Sequence, residues 1–303
     1  MYIVPPVDIT DAMIIASSLT ENDTDDAPLW NSATAYTVGQ RVRRTQTHRV
    51  YECAVANTNK VPESNISGTT PAWFEVRATN MWAAFDAVSA TQSTSASGTI
   101  SYTLAPGEIV DRVVLFNMDA VTVSLTQKDS GGNVVFSQTV DLRTKYSKGW
   151  YDYFFKPIIR KRDYVFEGLP PYKNSTFILT FTKSGGTVAV GDIVLGREIE
   201  VGELLWQPEV RIQDYSGKTT NTFGVTTFIK RDNARIMTCQ VQIENDYFDE
   251  LVRLMALYTS VPVVWIGDAD YSSTMIYGTF TDFRPVLDSP AGSFVNLQIE
   301  GLI

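Results

Sequence analysis

Apolar and polar positions alternate with a period of two over most of this chain. Between residues 81 and about 200 the runs SGTISYTL, EIVDRVVLFNM, AVTVSLTQ, NVVFSQTV, STFILTFT and GTVAVGDIVLG are short and rich in Val, Ile, Thr and Phe. That is the pattern of strands with one buried face. Asp129-Ser130-Gly131-Gly132-Asn133, Ser184-Gly185-Gly186 and Pro170-Pro171 punctuate them as turns. VSLTQKDSGGNVVFSQ reads as one hairpin. Strands at this spacing, with no helix between them, predict a jelly-roll-like β-sandwich over 81–203.

From 204 to 303 the order changes. LLWQPEVRIQ, NTFGVTTFIK and ARIMTCQVQIE are strand-like. In the last, Met237, Cys239, Val241 and Ile243 share one face and Ile236, Thr238, Gln240 and Gln242 the other. The period then becomes helical. Asn245 or Asp246 is placed to cap a helix ending near Tyr258, with Phe248, Leu251, Val252, Met255 and Tyr258 as its buried stripe. VPVVWIGD, STMIYGTF and SFVNLQIEGLI return to strands, so 204–303 is predicted to be a β-sandwich or barrel with one helix. Upstream, Trp30, Tyr36, Gly39, Val42, Tyr51, Cys53, Pro62, Trp73 and Val76 outline a very small β-module over 28–80, whose few rings must supply most of its buried area. Residues 1–27 read as an extended lead-in, with Pro5-Pro6 barring a helix and Thr20–Asp26 a polar loop. The Ser/Thr-rich run Thr91–Ser97 reads as a connector or a sheet edge. The predicted fold class is mainly β.

Composition narrows the chemistry. The 303 residues are 44% hydrophobic, enough for two or three domains with real cores. A net charge of −9 repels phosphate backbones, so no nucleic-acid partner is expected. The cluster Arg160-Lys161-Arg162 reads as a solvated loop or strand edge. Cys53 and Cys239 lie in alternating runs and read as buried free thiols. No basic, apolar leader opens the sequence and no run is long enough to cross a bilayer, so folding in a cytoplasm without membrane insertion is expected.

His48 is the sole histidine, which removes Ser-His-Asp, Cys-His and multi-histidine zinc schemes. Its setting, RTQTHRVYEC, predicts a surface residue on a hairpin. The glycines lack phosphate-cradling patterns. Asp268-Ala269-Asp270 reads as a hairpin turn, and Glu52, Glu63, Glu75 and Asp86 as surface carboxylates. A carboxylate pair for glycoside hydrolysis is set in space rather than in sequence and stays open at this point. No catalytic residue, metal or cofactor is expected.

Two resemblances add to this reading. Trp30, Tyr36-Thr37-Val38-Gly39-Gln40-Arg41-Val42, Tyr51-Glu52-Cys53, Pro62 and Trp73 resemble, in order, the landmarks of the small chitin-binding-like carbohydrate-binding modules of families 5 and 12. The resemblance implies glycan contact through Trp30, Tyr36, Tyr51 and Trp73. Where sugar-binding members carry exposed tryptophans after the Tyr-x-Cys/Ala strand, this chain has Ala54-Val55-Ala56-Asn57-Thr58.

Second, Thr79-Asn80-Met81-Trp82-Ala83-Ala84-Phe85-Asp86, the run Pro262–Asp268, Tyr277-Gly278-x-Phe280-x-Asp282-Phe283 and the ending Leu297-x-Ile299-Glu300-Gly301-Leu302 are similar, in order, to a family of tailed-bacteriophage virion proteins. That resemblance implies a tail-tip or baseplate component, like a distal tail protein. Its C-terminal, tail-tube-like domain would form a ring, hexameric by preference, and its outer domains would hang from that ring. The implied partners are copies of itself, tail-tube and baseplate-hub proteins, and host cell-surface polysaccharide. The implied location is the virion, after assembly in the host cytoplasm. The competing readings are a free carbohydrate-binding protein and, behind it, a polysaccharide-degrading enzyme.

Overall fold

The computed structural model describes residues 1–143, 149–155, 160–220, 222–290 and 292–302. Asn221 and Ile303, assigned to strands by the alternation, lie outside them. The fold is mainly β, built in layers, and each layer follows from which residues along a strand are apolar.

The outermost layer is a five-stranded antiparallel sheet, ordered Val134–Asp141, Thr122–Lys128, Thr176–Thr182, Thr99–Leu104, Ile14–Ser17. Alternate residues Ile100, Tyr102, Leu104, Val123, Leu125, Phe177, Leu179 and Phe181 are buried, while Thr and Ser fill most of the outward positions. The predicted hairpin forms between Thr122–Lys128 and Val134–Asp141, with the Asp129 carboxylate accepting from the Gly131 and Asn133 amides in its turn.

Facing this sheet is a three-stranded one, Tyr164–Phe166, Arg112–Leu115, Ile193–Gly196. Here the alternation is lost because both faces are covered. Val113, Leu115, Phe166, Ile193 and Leu195 enter the sandwich core. Val114, Val165 and Val194 turn the other way, onto Val264, Ile266, Met275 and Tyr277. Continuous apolar runs such as IVL and VVWI are what a strand buried on both faces requires. The five-on-three arrangement departs from an even jelly roll. The run Thr91–Ser97 proves to be an edge, with Ser93–Ser95 paired to Val188–Val190.

The next layer is the C-terminal sheet. Its order is Ile199–Glu200, Tyr2–Val4, Val263–Ile266, Met275–Ser289, Gly292–Gly301, Asn233–Ile243, with Glu203–Leu204 and Glu209–Asp214 both on the far side of Asn233–Ile243. It is open, not a closed barrel. Its second face holds Met237, Cys239, Val241, Ile243, Trp265, Leu297 and Ile299 against the helix Phe248–Leu257.

The structure corrects four expectations. The segment 1–27 is no lead-in: Tyr2–Val4 is an interior strand of the C-terminal sheet, and Ile14–Ser17 closes the sandwich sheet. Strands of three or four residues are too short for alternation to reveal. The boundary at 203/204 is not a break in the core, because the layer around Val114, Val194, Val264 and Tyr277 joins both sides. LLWQPEVRIQ is split into Glu203–Leu204 and Glu209–Asp214, since Gln207 takes a left-handed φ of 82° and Pro208 offers no N–H to a ladder. The helix begins one 3-10 turn late, after Asn245–Tyr247, without a side-chain cap. The Asn245 amide instead bonds the Ser289 carbonyl and the Ser293 hydroxyl. Leu251 and Met255 are buried as the stripe requires, whereas Val252 is exposed and Leu254 packs in its place.

Candidate functional site

The small module is a three-stranded sheet, Arg41–Arg44, Arg49–Cys53, Trp73–Ala78, beside the short pair Ala35–Tyr36 and Asn57–Thr58. Tyr36, Val42, Tyr51, Cys53, Ala72 and Trp73 form its core, and Trp30 packs against them half-buried. Trp73 is 0% exposed and Tyr51 1%. Tyr36 and Trp73 meet edge to face at 5.2 Å, and Trp73 Nε1 donates to the Lys60 carbonyl at 3.0 Å. The Arg44 guanidinium, paired with Glu63, lies 4.9 Å over the Trp30 ring.

All four nominated rings are therefore brought together, but as a core and not as a platform. A sugar needs a solvent-facing ring face, and Tyr36, Tyr51 and Trp73 offer none. In a module this small the largest rings are consumed by burial. Val76, counted among the landmarks, lies on the exposed face beside Phe74.

The module is fastened to the sandwich by a polar joint. His48 sits at the turn of its hairpin with φ 52°, as predicted, yet its side chain is only 19% exposed, so it is not a surface residue. Nδ1 lies 2.9 Å from Glu21 Oε1, Nε2 lies 2.9 Å from Asp11 Oδ1, and the ring stacks on Trp82 at 4.1 Å. The Thr79 hydroxyl donates to the same Glu21 oxygen at 2.6 Å. Asn80 receives Thr94 N–H at 2.8 Å and donates its own N–H to buried Asp26 at 2.6 Å. Trp82, Phe85 and Tyr102 continue the contact edge to face into the sandwich core. The segment Thr79–Asp86 is thus a structural joint. Asp86 belongs to it, half-buried and accepting from Thr91 and Val88, so it is not a surface carboxylate.

Between the sandwich and the C-terminal sheet lies a cleft of about 340 Å³ bordered by Asn117, Arg162, Asp163, Arg235 and Tyr277. Asp163 is held by Arg235 at 2.5 Å and by the Asn117 amide at 3.0 Å. Asp192, deeper at the same joint and 1% exposed, accepts from the Ser89 hydroxyl at 3.1 Å, while its Oδ1 has no partner among the described residues. Burial pushes its carboxyl up to about 7, helped by the negative charge of Asp86 and Asp163. Among the described residues no group of three or more His, Cys, Asp or Glu side chains could hold a metal ion. Asp268 and Asp270 form a turn, the Asp268 carboxylate accepting from Asp270 N–H at 2.9 Å. Cys53 and Cys239 are buried free thiols, and burial pushes the Cys239 thiol up to about 11.

The C-terminal sheet has two open strand stretches. Glu209–Asp214 pairs with Asn233–Ile243 on one side, and no described strand pairs its other side. After Gly278 no described strand pairs the second side of Met275–Ser289, which runs on beside Gly292–Gly301. Pro285 sits in that stretch, where an edge tolerates it. Ile212 is exposed on the first edge, and Val286 and Leu287 on the second. Beside the first lies a groove of about 840 Å³ that includes Leu204, Trp206 and Val210.

No protein-family model and no curated protein matches the chain. Among the described residues no helix is long and apolar enough to cross a membrane.

Proposed function

We propose that this chain is a structural component of a bacteriophage tail tip or baseplate that assembles with copies of itself into a ring, six-fold by preference, through its C-terminal sheet. The observation that carries this reading is a pair of strand stretches, Glu209–Asp214 and the part of Met275–Ser289 after Gly278, that lie on the two sides of the Gly292–Gly301 and Asn233–Ile243 pair and have no second partner strand among the described residues. An exposed edge is a template for another strand. Two different edges on one molecule favour head-to-tail contact, which closes into a ring when the rotation allows. The edge Glu209–Asp214 of one copy would meet the stretch Thr279–Ser289 of the next, with Val286 and Leu287 approaching the groove at Trp206. In this reading the layered body braces the ring and the small module faces outward. Tail-tube and hub proteins would stack on the ring, and the mature location is the virion.

Glycan contact through Tyr36, Tyr51 and Trp73 finds no support in their burial, and Trp30 is half-buried against them. The test is sedimentation and electron microscopy of the purified full chain. Wild type is expected to form rings in a concentration-dependent way, and Ile212→Lys combined with Val286→Lys to leave a folded monomer. A wild-type chain that stays monomeric at high concentration and never enters particles would overturn the proposal.

A further inference from the structure

Tyr277, which borders the cleft at Arg162, also lines a second, smaller pocket of about 140 Å³. Four parts of the chain meet there. Asp8 and Ile9 come from the N-terminal segment, Phe85 from the joint, Asp192 and Val194 from the sandwich, and Tyr277 from the C-terminal sheet. Two of these carry buried polar groups that the fold leaves unmatched. Asp192 is 1% exposed; its carboxylate accepts from the Ser89 hydroxyl, and its Oδ1 has no partner among the described residues. Tyr277 is 8% exposed, its ring stacks on Phe116 at 6.1 Å, and its hydroxyl makes no hydrogen bond to a described residue. Native folds seldom strand such groups without a partner.

The lining selects the chemistry of that partner. It carries two carboxylates, exposed Asp8 and buried Asp192, and no described Lys or Arg. Asp86 and Asp163 add negative charge around Asp192, while the guanidinium of Arg235 is engaged by Asp163. A buried carboxylate is stabilised by a cation that also donates hydrogen bonds to it. A bare divalent ion asks for about six to eight oxygen ligands, and among the described residues no group of three or more His, Cys, Asp or Glu side chains could hold one. The rest of the wall is apolar, through Ile9, Phe85 and Val194. Its volume is about five times the roughly 30 Å³ that one water takes in the liquid, enough for a short alkyl chain.

We propose that this pocket binds a primary aliphatic ammonium group, with Asp192 and the Tyr277 hydroxyl as its buried acceptors and Asp8 as the outer one. A primary ammonium carries three N–H donors, one for each acceptor. Its alkyl stem lies on Ile9, Phe85 and Val194. The cation takes the place of a proton on Asp192. Burial pushes that carboxyl up to about 7, so it is mostly neutral at pH 6 and mostly ionised at pH 8. The other titratable groups around it are Asp8, Asp86, Asp163 and Tyr277, and burial pushes the Tyr277 phenol up, which keeps it a donor and acceptor across that interval. Affinity therefore rises about ten-fold from pH 6 to pH 8. The inference is independent of ring assembly and applies to a single copy.

The test is titration calorimetry of the full chain with n-butylammonium chloride, beside potassium chloride and tetramethylammonium chloride at equal ionic strength. Saturable binding is expected with n-butylammonium alone, about ten-fold tighter at pH 8 than at pH 6. Asp192→Asn is expected to weaken it about ten-fold or more at pH 8 and to remove the pH dependence. Tyr277→Phe is expected to weaken it about three-fold, and neither variant to melt early. Should Asp192→Asn melt early, Asp8→Asn combined with Tyr277→Phe decides in its place. Nα-acetyl-lysine methylamide separates two sources of the same group. If it binds as well, a lysine side chain of another chain can supply the ammonium; if only n-butylammonium binds, a free amine does. Absence of saturable n-butylammonium binding overturns the inference. So does binding that the variants leave intact, or that potassium or tetramethylammonium reproduces.

Discussion

Asp192 is a buried carboxylate with one oxygen unpartnered among the described residues, and its energetics have a definite sign. Its carboxyl is pushed up to about 7 in the folded chain, whereas an unfolded aspartate titrates near 3.8. The folded state therefore holds a proton that the unfolded state releases first. Stability falls as pH rises between those two values, by up to about 1.4 kcal/mol per pH unit, and levels off above the upper one. Asp192→Asn is expected to raise stability at pH 7–8 and leave it little changed near pH 4, as read by urea denaturation across that range. Trp73 shows the opposite case, a fully buried ring whose removal leaves a hole. Trp73→Ala is expected to cost about 3–5 kcal/mol and to melt the module, seen as loss of its amide protection in hydrogen exchange. Both residues were visible as types in the sequence. Their roles were not, because burial is set by what packs above them.

The joint between module and sandwich is the element on which the N-terminal third depends. His48, Glu21, Asp11, Thr79 and Trp82 come from three separated stretches of chain. Alternation finds none of them, since each sits in a turn or loop. The available signal was the lone histidine in an otherwise histidine-free chain. His48→Ala is expected to cost about 1–3 kcal/mol by leaving Glu21 with only its Thr79 bond among those described and uncovering Trp82, and to speed proteolysis within Thr20–Asp26, measured by limited digestion. Gly278 is a second such element. A Cβ there would lie 2.0 Å from the Glu300 carbonyl oxygen, so the strands Met275–Ser289 and Gly292–Gly301 approach too closely for any side chain. Gly278→Ala is expected to lower stability by about 1–3 kcal/mol. The helix Trp150–Phe155 was not read from the sequence, which placed no helix between the strands of 81–203.

The whole molecule is tied together by its ends. Tyr2–Val4 lies inside the C-terminal sheet and Ile14–Ser17 at the sandwich edge, so one short segment spans two layers. The valine layer between them is buried on both sides. Deletion of residues 1–17 is expected to destabilise sandwich and C-terminal sheet together, as one lowered calorimetric transition rather than the loss of one of two. This coupling also bears on the proposed ring, because the edges Glu209–Asp214 and Thr279–Ser289 are held on a sheet that the sandwich stiffens.

The period of two, the single shift to a helical stripe at Leu251 and Met255, and the Gly- and Asp-rich turns were local properties, and they were enough to make the chain mainly β with one hairpin and one long helix in their places. A strand buried on both faces reads as a plain apolar run, and a three-residue strand has no period at all. Hence the layering, the insertion of Tyr2–Val4 and the inward turn of Tyr51 and Trp73 emerged only in three dimensions. The open edges belong with them. Whether a strand has a neighbour depends on where the rest of the chain has gone, and no stretch of residues carries that in itself.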